Sequence, residues 1–233
     1  MTKTVLVTGA ASGIGQAQVD LFLEKGYAVY GVDKSAKPDL SHHNFQFFQM
    51  DLRGNLAALY EQVPQVDILC NTAGILDDYK PLLDTSEEEL QVVMETNFFA
   101  TVTLTRHYLK KMVEKKSGII INMCSIASFM AGGGGAAYTS SKHALAGFTR
   151  QLALDYAKDG IQIFGIAPGA VKTAMTAADF KPGGLADWVA QETPIGRWTD
   201  PAEIAELTLM LASGKLASMQ GEIVKIDGGW SLK

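Results

Sequence analysis

Little in this sequence points to a metal, a membrane or a nucleic acid. Two cysteines, Cys70 and Cys124, stand among 233 residues. Both fall in apolar stretches that read as strand ends, so two buried thiols in a reducing cytosol are expected rather than a disulfide scaffold. Of the four histidines, His42, His43, His107 and His143, only an adjacent pair is close in sequence. No cysteine or carboxylate stands at ligand spacing around that pair, which predicts no metal site. No apolar run approaches the ~18 residues of a membrane span. The first residues lack the apolar length and cleavage pattern of a secretory signal, so a cytoplasmic protein is expected. Charge of neither sign dominates: 20 basic residues face 25 acidic ones, a net −5. That balance disfavours non-specific nucleic-acid binding. The one basic cluster, Lys110, Lys111, Lys115 and Lys116, reads as the solvated end of a helix. The alternative is a docking patch for an acidic partner. Internal repeats and low-complexity linkers are absent as well.

What is present is a regular alternation of apolar runs and amphipathic stretches. With 47% hydrophobic residues, the length suits one α/β domain over residues 1–233. Cofactor and substrate must then share that domain. Strands are predicted at 4–7, 28–32, 45–50, 68–71, 118–123, 162–167 and 221–226. Helices are predicted at 14–25, 55–63, 98–114, 137–157 and 201–212. A further helix opens at Thr85, where Thr85-Ser86-Glu87-Glu88 places a hydroxyl three residues before a carboxylate. Alternating strands and helices imply a doubly wound parallel sheet of about seven strands, with helices on both faces. Residues 174–198 lack clear periodicity and contain Pro182, Gly183, Gly184 and Pro194, the mark of a lid.

Two local patterns carry chemistry. The first is Thr8-Gly9-Ala10-Ala11-Ser12-Gly13-Ile14-Gly15, at the first strand-to-helix junction. Its glycines let the backbone approach a diphosphate, and the helix N-terminus offers free N–H groups to the anion. This predicts a Rossmann-type dinucleotide site. Asp33 follows the second strand, 18 residues after Gly15. A carboxylate there accepts from the adenosine ribose hydroxyls and repels a 2′-phosphate. It therefore favours NAD(H) over NADP(H), although Lys34 partly offsets its charge.

The second pattern is Tyr138 and Lys142, four apart on a predicted helix and so on one face. A nearby ammonium favours the phenolate, so the tyrosine pKa is expected to fall toward neutrality. Ser125 lies 13 residues earlier, just past the fifth strand. Ligands of open parallel sheets bind outside such strand ends. The intervening Gly132, Gly133, Gly134 and Gly135 read as a flexible loop that brings strand end and helix start together.

These elements, taken in order, resemble the short-chain dehydrogenases/reductases over essentially the whole chain. The T-G-x-x-x-G-x-G turn matches at residues 8–15. The N-N-A-G element appears as Asn71-Thr72-Ala73-Gly74, with Thr72 as the departure. Asn97, Ser125, Tyr138 and Lys142 match the catalytic positions. Pro168-Gly169, with Thr173 beyond it, matches the segment that contacts nicotinamide, and Asp227-Gly228-Gly229 matches a C-terminal signature. The resemblance implies that Tyr138 passes a proton to the substrate oxygen while hydride moves to or from nicotinamide. Lys142 would lower the tyrosine pKa and hold the nicotinamide ribose, Ser125 would bind the substrate oxygen, and Asn97 would hold a relay water. The implied cofactor set is Gly9, Ser12, Gly13, Ile14, Gly15, Asp33, Lys34, Asp51, Leu52, Asn71, Ala73, Gly74, Tyr138, Lys142, Pro168, Gly169, Val171 and Thr173. Asp51 and Leu52 would flank the adenine, and Thr173 would bind the carboxamide.

Within the family the chain is most similar to the 3-oxoacyl-[acyl-carrier-protein] reductase group. Members serving an acidic carrier protein present basic residues beside the active-site mouth. Lys116 is the candidate here, while Asp159 stands where a second basic residue is usual. Asp33 and the short segment between the second and third strands instead resemble NAD-linked 2,3-dihydro-2,3-dihydroxybenzoate dehydrogenases. A dehydrogenase of small ketones, polyols or cyclic diols is therefore the alternative. A catalytically silent dinucleotide sensor is a third reading, which the retained Ser125, Tyr138 and Lys142 oppose. In the lid, Met175, Phe180, Leu185, Trp188 and Val189 suggest an apolar pocket cover, or ordinary packing of a short helix. Apolar residues on the 98–114 and 137–157 helices, with the resemblance, imply a homotetramer.

Overall fold

The computed structural model describes residues 2–233. The first βαβ unit is β1 (Thr4–Thr8), α1 (Gly13–Glu24) and β2 (Ala28–Asp33), followed without an intervening helix by β3 (Phe45–Gln49). Next come α2 (Ala57–Gln62), β4 (Ile68–Asn71), α3 (Glu87–Met94) and α4 (Ala100–Lys115). The chain continues with β5 (Gly118–Met123), α5 (Ala136–Tyr156), β6 (Ile161–Pro168), α6 (Ala186–Glu192), α7 (Pro201–Ala212) and β7 (Ile223–Ile226). All seven strands pair in parallel, in the order β3-β2-β1-β4-β5-β6-β7. This is the Rossmann-type doubly wound sheet expected. The order reverses between β1 and β4, which opens a crevice beyond the carboxyl ends of those strands.

The period-2 alternation of strands divides the core in two. Val5 and Val7 face one layer with Val19 and Phe22 of α1 and Ile204 and Leu211 of α7. Leu6 faces the other, with Leu104 and Tyr108 of α4 and Leu152 of α5. The same split separates Ile119 and Ile121 from Ile120. Every residue of β4 and β5 is buried, as a sheet covered on both faces requires.

Several boundaries differ from expectation. The helix expected to open at Thr85 is capped one residue later. Ser86 accepts from the Glu89 N–H at 3.1 Å, and Glu89 accepts from the Ser86 N–H at 2.9 Å. Both Thr85 and Ser86 fit the hydroxyl rule, and the register of the Glu89 carboxylate chooses between them. The helix expected from residue 98 is continuous with α3 through a wide π turn, Glu95–Phe99, that bulges around Asn97. The helix expected at 55–63 contracts to α2, and the strand expected at 221–226 to β7. Segment 174–198 is not structureless: it holds the 3₁₀ turn Ala174–Phe180 and α6. By contrast α7 matches expectation, because Asp200, Pro201 and Glu203 mark its start unambiguously. No helix of the described residues is long and apolar enough to cross a membrane.

Candidate active site

A cavity of about 700 Å³ opens at the carboxyl edge of the sheet. At one end the glycine turn forms an anion cradle. Gly9 and Gly13 sit at positive φ (70° and 55°), and a Cβ on Gly15 would lie 2.0 Å from the Gly9 carbonyl oxygen. Only glycine permits that approach. The Ser12 side chain makes no capping hydrogen bond to α1, so it does not compete for the first-turn N–H groups an anion would use. The Asp33 carboxylate accepts from the N–H groups of Ala11, at 3.1 Å, and Ser35, at 2.8 Å, and lines the cavity beside Lys34, Asp51 and Leu52. This cradle, with an acceptor one strand away, fits a nicotinamide dinucleotide.

Thr8 ties the two halves of the floor together. Its hydroxyl accepts from the N–H groups of Thr72 and Ala73, both at 2.9 Å. Thr72, the departure from N-N-A-G, donates to the buried Gln18 amide oxygen at 2.7 Å, and Gln18 donates onward to Thr208. The departure is thus absorbed by a polar contact between the floor, α1 and α7.

At the other end Ser125, Tyr138 and Lys142 converge on the cavity. Ser125 follows β5 with its hydroxyl accepting from Ala127 N–H at 3.1 Å. Lys142, only 4% exposed, donates to the Met123 carbonyl at 2.8 Å, with its ammonium 5.5 Å from the centre of the Tyr138 ring. A Cβ on Gly134 would lie 2.5 Å from that ring, so the glycine loop lets the ring pack against its backbone.

The electrostatics overturn one expectation. The Tyr138 pKa does not fall: burial pushes it up to about 12, while the Ser125 hydroxyl pulls the other way. Burial also pulls Lys142 down to about 8. Desolvation outweighs the opposing pull of the Ser125 hydroxyl on the phenol and of Cys124 on the ammonium, and the ammonium spends its hydrogen bond on a backbone carbonyl. The phenol therefore holds its proton at neutral pH. Burial pushes the pKa of both Cys70 and Cys124 up as well, which suits core residues.

The structure brings Gly9, Ser12, Gly13, Ile14, Gly15, Asp33, Lys34, Asp51, Leu52, Ala73, Gly74, Pro168, Gly169, Val171 and Thr173 to the same cavity. Asn71 and Asn97 are not on its wall. The Asn71 amide donates to Asn122, at 2.8 Å, and Thr105, at 3.2 Å, in a buried polar ladder between sheet and helices. Asn97 grips both backbone groups of Ile75 and donates to Ser141 at 3.1 Å. Each acts beneath the floor rather than upon it.

Lys116 is also displaced from its expected place. It ends α4 in the left-handed conformation, and its carbonyl packs against Gly160, beside Asp159. Both turns feed the starts of strands, whereas Ser125 lies past the far end of β5. The length of β5, roughly 20 Å, separates Lys116 from this protomer's cavity mouth.

Sequence reasoning missed four contributors. Ser128 donates to the Lys142 carbonyl at 2.8 Å and joins the Ser125 turn to α5. Asp77 accepts from the N–H groups of Gly135 and Tyr138. Tyr79, at φ 56°, and Trp230 line the substrate end. No local pattern announces them, since each matters through residues far away in sequence. Of the expected lid residues, Met175, Leu185, Trp188 and Val189 reach the cavity. Phe180 instead packs on Trp198, with ring centres 4.8 Å apart.

Comparison with known proteins follows the same lines. The family model for short chain dehydrogenase matches residues 3–182. The chain is 34% identical to a 3-oxoacyl-[acyl-carrier-protein] reductase of Vibrio cholerae, covering 97% of this chain and 96% of that one. It is 31% identical to 3beta-hydroxysteroid dehydrogenase 2 of Eggerthella lenta, covering 98% and 95%. The structure of a 4-hydroxyisoleucine dehydrogenase complexed with NADH superposes with a TM-score of 0.94 at 31% identity, over the whole of both chains. That of ElxO with NADP bound superposes at 0.89 and 25% identity, also over the whole of both chains. The glycine cradle, the parallel sheet that carries it and the length of these matches have one reading: the chain belongs to the short-chain dehydrogenase family of NAD(P)-binding oxidoreductases.

Proposed function

We propose that this chain interconverts a ketone and a secondary alcohol on an uncharged, apolar body, with NAD(H) as cofactor, in one domain spanning residues 1–233. The observation that carries the reading is the convergence of Ser125, Tyr138 and Lys142 on a cavity they share with the glycine cradle. When bound, the dinucleotide supplies or accepts the hydride. Tyr138, protonated at neutral pH, donates to the carbonyl oxygen in the reductive direction and takes the proton back in the oxidative one. Ser125 donates to the same oxygen and stabilises the charge developing there. Lys142 offers positive charge to the cofactor ribose and the phenol. Asp33 supports NAD(H) over NADP(H), since its carboxylate would meet a 2′-phosphate with like charge.

The substrate end is lined by Leu76, Tyr79, Met130, Met175, Leu185, Trp188, Trp198 and Trp230, and the one formal charge there besides Lys142 is Asp179. That wall suits apolar substrates and opposes free carboxylates. A 3-oxoacyl thioester fits it, and sequence similarity favours that substrate. The distance of Lys116 from the mouth argues against docking of a carrier protein on the same protomer. A second reading, a dehydrogenase of cyclic diols or small ketones, draws on Asp33 and on the aromatic wall. Reduced-nicotinamide absorbance, followed with an acetoacetyl thioester and with small diketones, tests both. Fast thioester reduction supports the first reading, turnover of diketones alone the second, and tight NADH binding without any turnover would revive a sensor.

The same reading extends to assembly. Phe99, the last residue of the π turn before α4, is 53% exposed, and Leu154 of α5 is 75% exposed, apolar surface that a homotetramer working in the cytoplasm would cover. Light scattering that found only a 25 kDa species would exclude it.

A further inference from the structure

Helix α5 begins without a cap of its own. Its N-cap is Gly135, which has no side chain, and its first turn holds no acidic residue. The first N–H groups of a helix need acceptors, and the dipole there favours an anion. Both needs are met from 58 to 61 residues upstream. The Asp77 carboxylate accepts from Gly135 N–H through Oδ1 at 2.6 Å and from Tyr138 N–H through Oδ2 at 2.9 Å. A Cβ on Gly135 would lie 2.7 Å from Oδ2, so the approach depends on glycine at that position.

Asp77 is itself held. Two residues before it, Ile75 has both backbone groups bonded to Asn97, at 2.8 and 2.9 Å. Asn97 also bonds Ser141, one turn past Tyr138 on α5. The loop after β4, whose Thr72, Ala73 and Gly74 form the cavity floor, is therefore braced to α5 on both sides of the phenol.

We propose that Asp77 is a positioning residue for Tyr138, capping α5 from across the cavity so that the phenol is held against Ser125. The assignment rests on Tyr138 being the proton donor. Its charge has a second consequence. Tyr138 faces Asp77 and Tyr79 from the loop after β4, Cys124 from the end of β5, and Lys142 from its own helix. Asp77, Tyr79 and Cys124 all oppose the phenolate, after burial itself. Removing the Asp77 charge should let the phenol ionise at lower pH, an effect that a merely structural cap would not have.

Asp77→Ala and the isosteric Asp77→Asn test this beside Tyr138→Phe, with acetoacetyl thioester and diacetyl as probes. Misplacing a reacting group by about an ångström costs on the order of a hundredfold. Asp77→Ala should therefore lower kcat roughly ten- to a hundredfold, with NADH affinity unchanged. In Asp77→Asn the phenolate absorbance, read as the difference from Tyr138→Phe, should titrate at lower pH than in the parent, a readout that needs no substrate. If Asp77→Ala does not fold, Asp77→Asn still carries that readout. Parental kcat in both Asp77 variants overturns the proposal, and so does lower kcat with an unmoved phenol titration. Full activity in Tyr138→Phe would instead overturn the reading of the site on which it rests.

Discussion

The ammonium of Lys142 and the carbonyl oxygen of Met123 lie 2.8 Å apart, and this is the one hydrogen bond that the ammonium makes among the described residues. A cation buried with so little compensation costs stability. Its folded pKa is about 8, against 10.5 when unperturbed. Between those values the unfolded chain binds more protons than the folded one, so stability of the cofactor-free protein should rise with pH across that window. Lys142→Met should stabilise the cofactor-free protein at neutral pH by roughly 2–4 kcal/mol, while abolishing turnover. Urea denaturation measures the first effect, and a less stable variant would refute it.

Tyr138→Phe should retain NADH affinity and lose about 10²- to 10⁴-fold in turnover, the usual contribution of a positioned proton donor. Fluorescence titration and steady-state rates together check this. Because burial pushes the Tyr138 phenol up to about 12, the wild type should reduce ketones readily at neutral pH. Alcohol oxidation, which needs the phenolate, should climb steadily as pH rises. Oxidation that plateaus near neutrality would assign the base to another group.

Asp33→Ala should relax the preference for NAD(H). The same change removes the acceptor that holds Ala11 N–H at 3.1 Å, so KM for NADH should rise as well. The ratio of kcat/KM for NADH and NADPH is the measurement. A wild type that already prefers NADPH would show that Asp33 does not select the cofactor.

Asp179 is the one carboxylate at the substrate end. Asp179→Asn should lower KM for a carboxylate-bearing ketone several-fold and leave diacetyl little changed, since only the former carries a charge for Asp179 to repel. Equal effects on both probes would mean that Asp179 shapes the wall without screening charge.

Much of the site was legible because its parts announce themselves over short distances. Glycines at 9, 13 and 15 leave a local mark, as does the four-residue step from Tyr138 to Lys142. The start of α7 is set just as locally, by the Asp200 cap, Pro201 and the Glu203 carboxylate. Thr85 misled because two hydroxyls stood before one acidic run, and only the bond to Glu89 separates them. Asn71 is indistinguishable in sequence from a pocket residue, yet the pairing of β4 with β5 sets it opposite Asn122, to which it bonds.

The family, the parallel sheet and the approach of Ser125 to Tyr138 and Lys142 could be read from the residues alone, because strand period, turn chemistry and helical spacing are properties of neighbouring residues. Only packing made Asp77 the cap of α5, set Lys116 before the start of β5 and away from the cavity, and pushed the tyrosine pKa up instead of down. Desolvation and long-range hydrogen bonds depend on everything packed around a group, and residues 58 to 61 positions apart become neighbours only when the sheet closes over them.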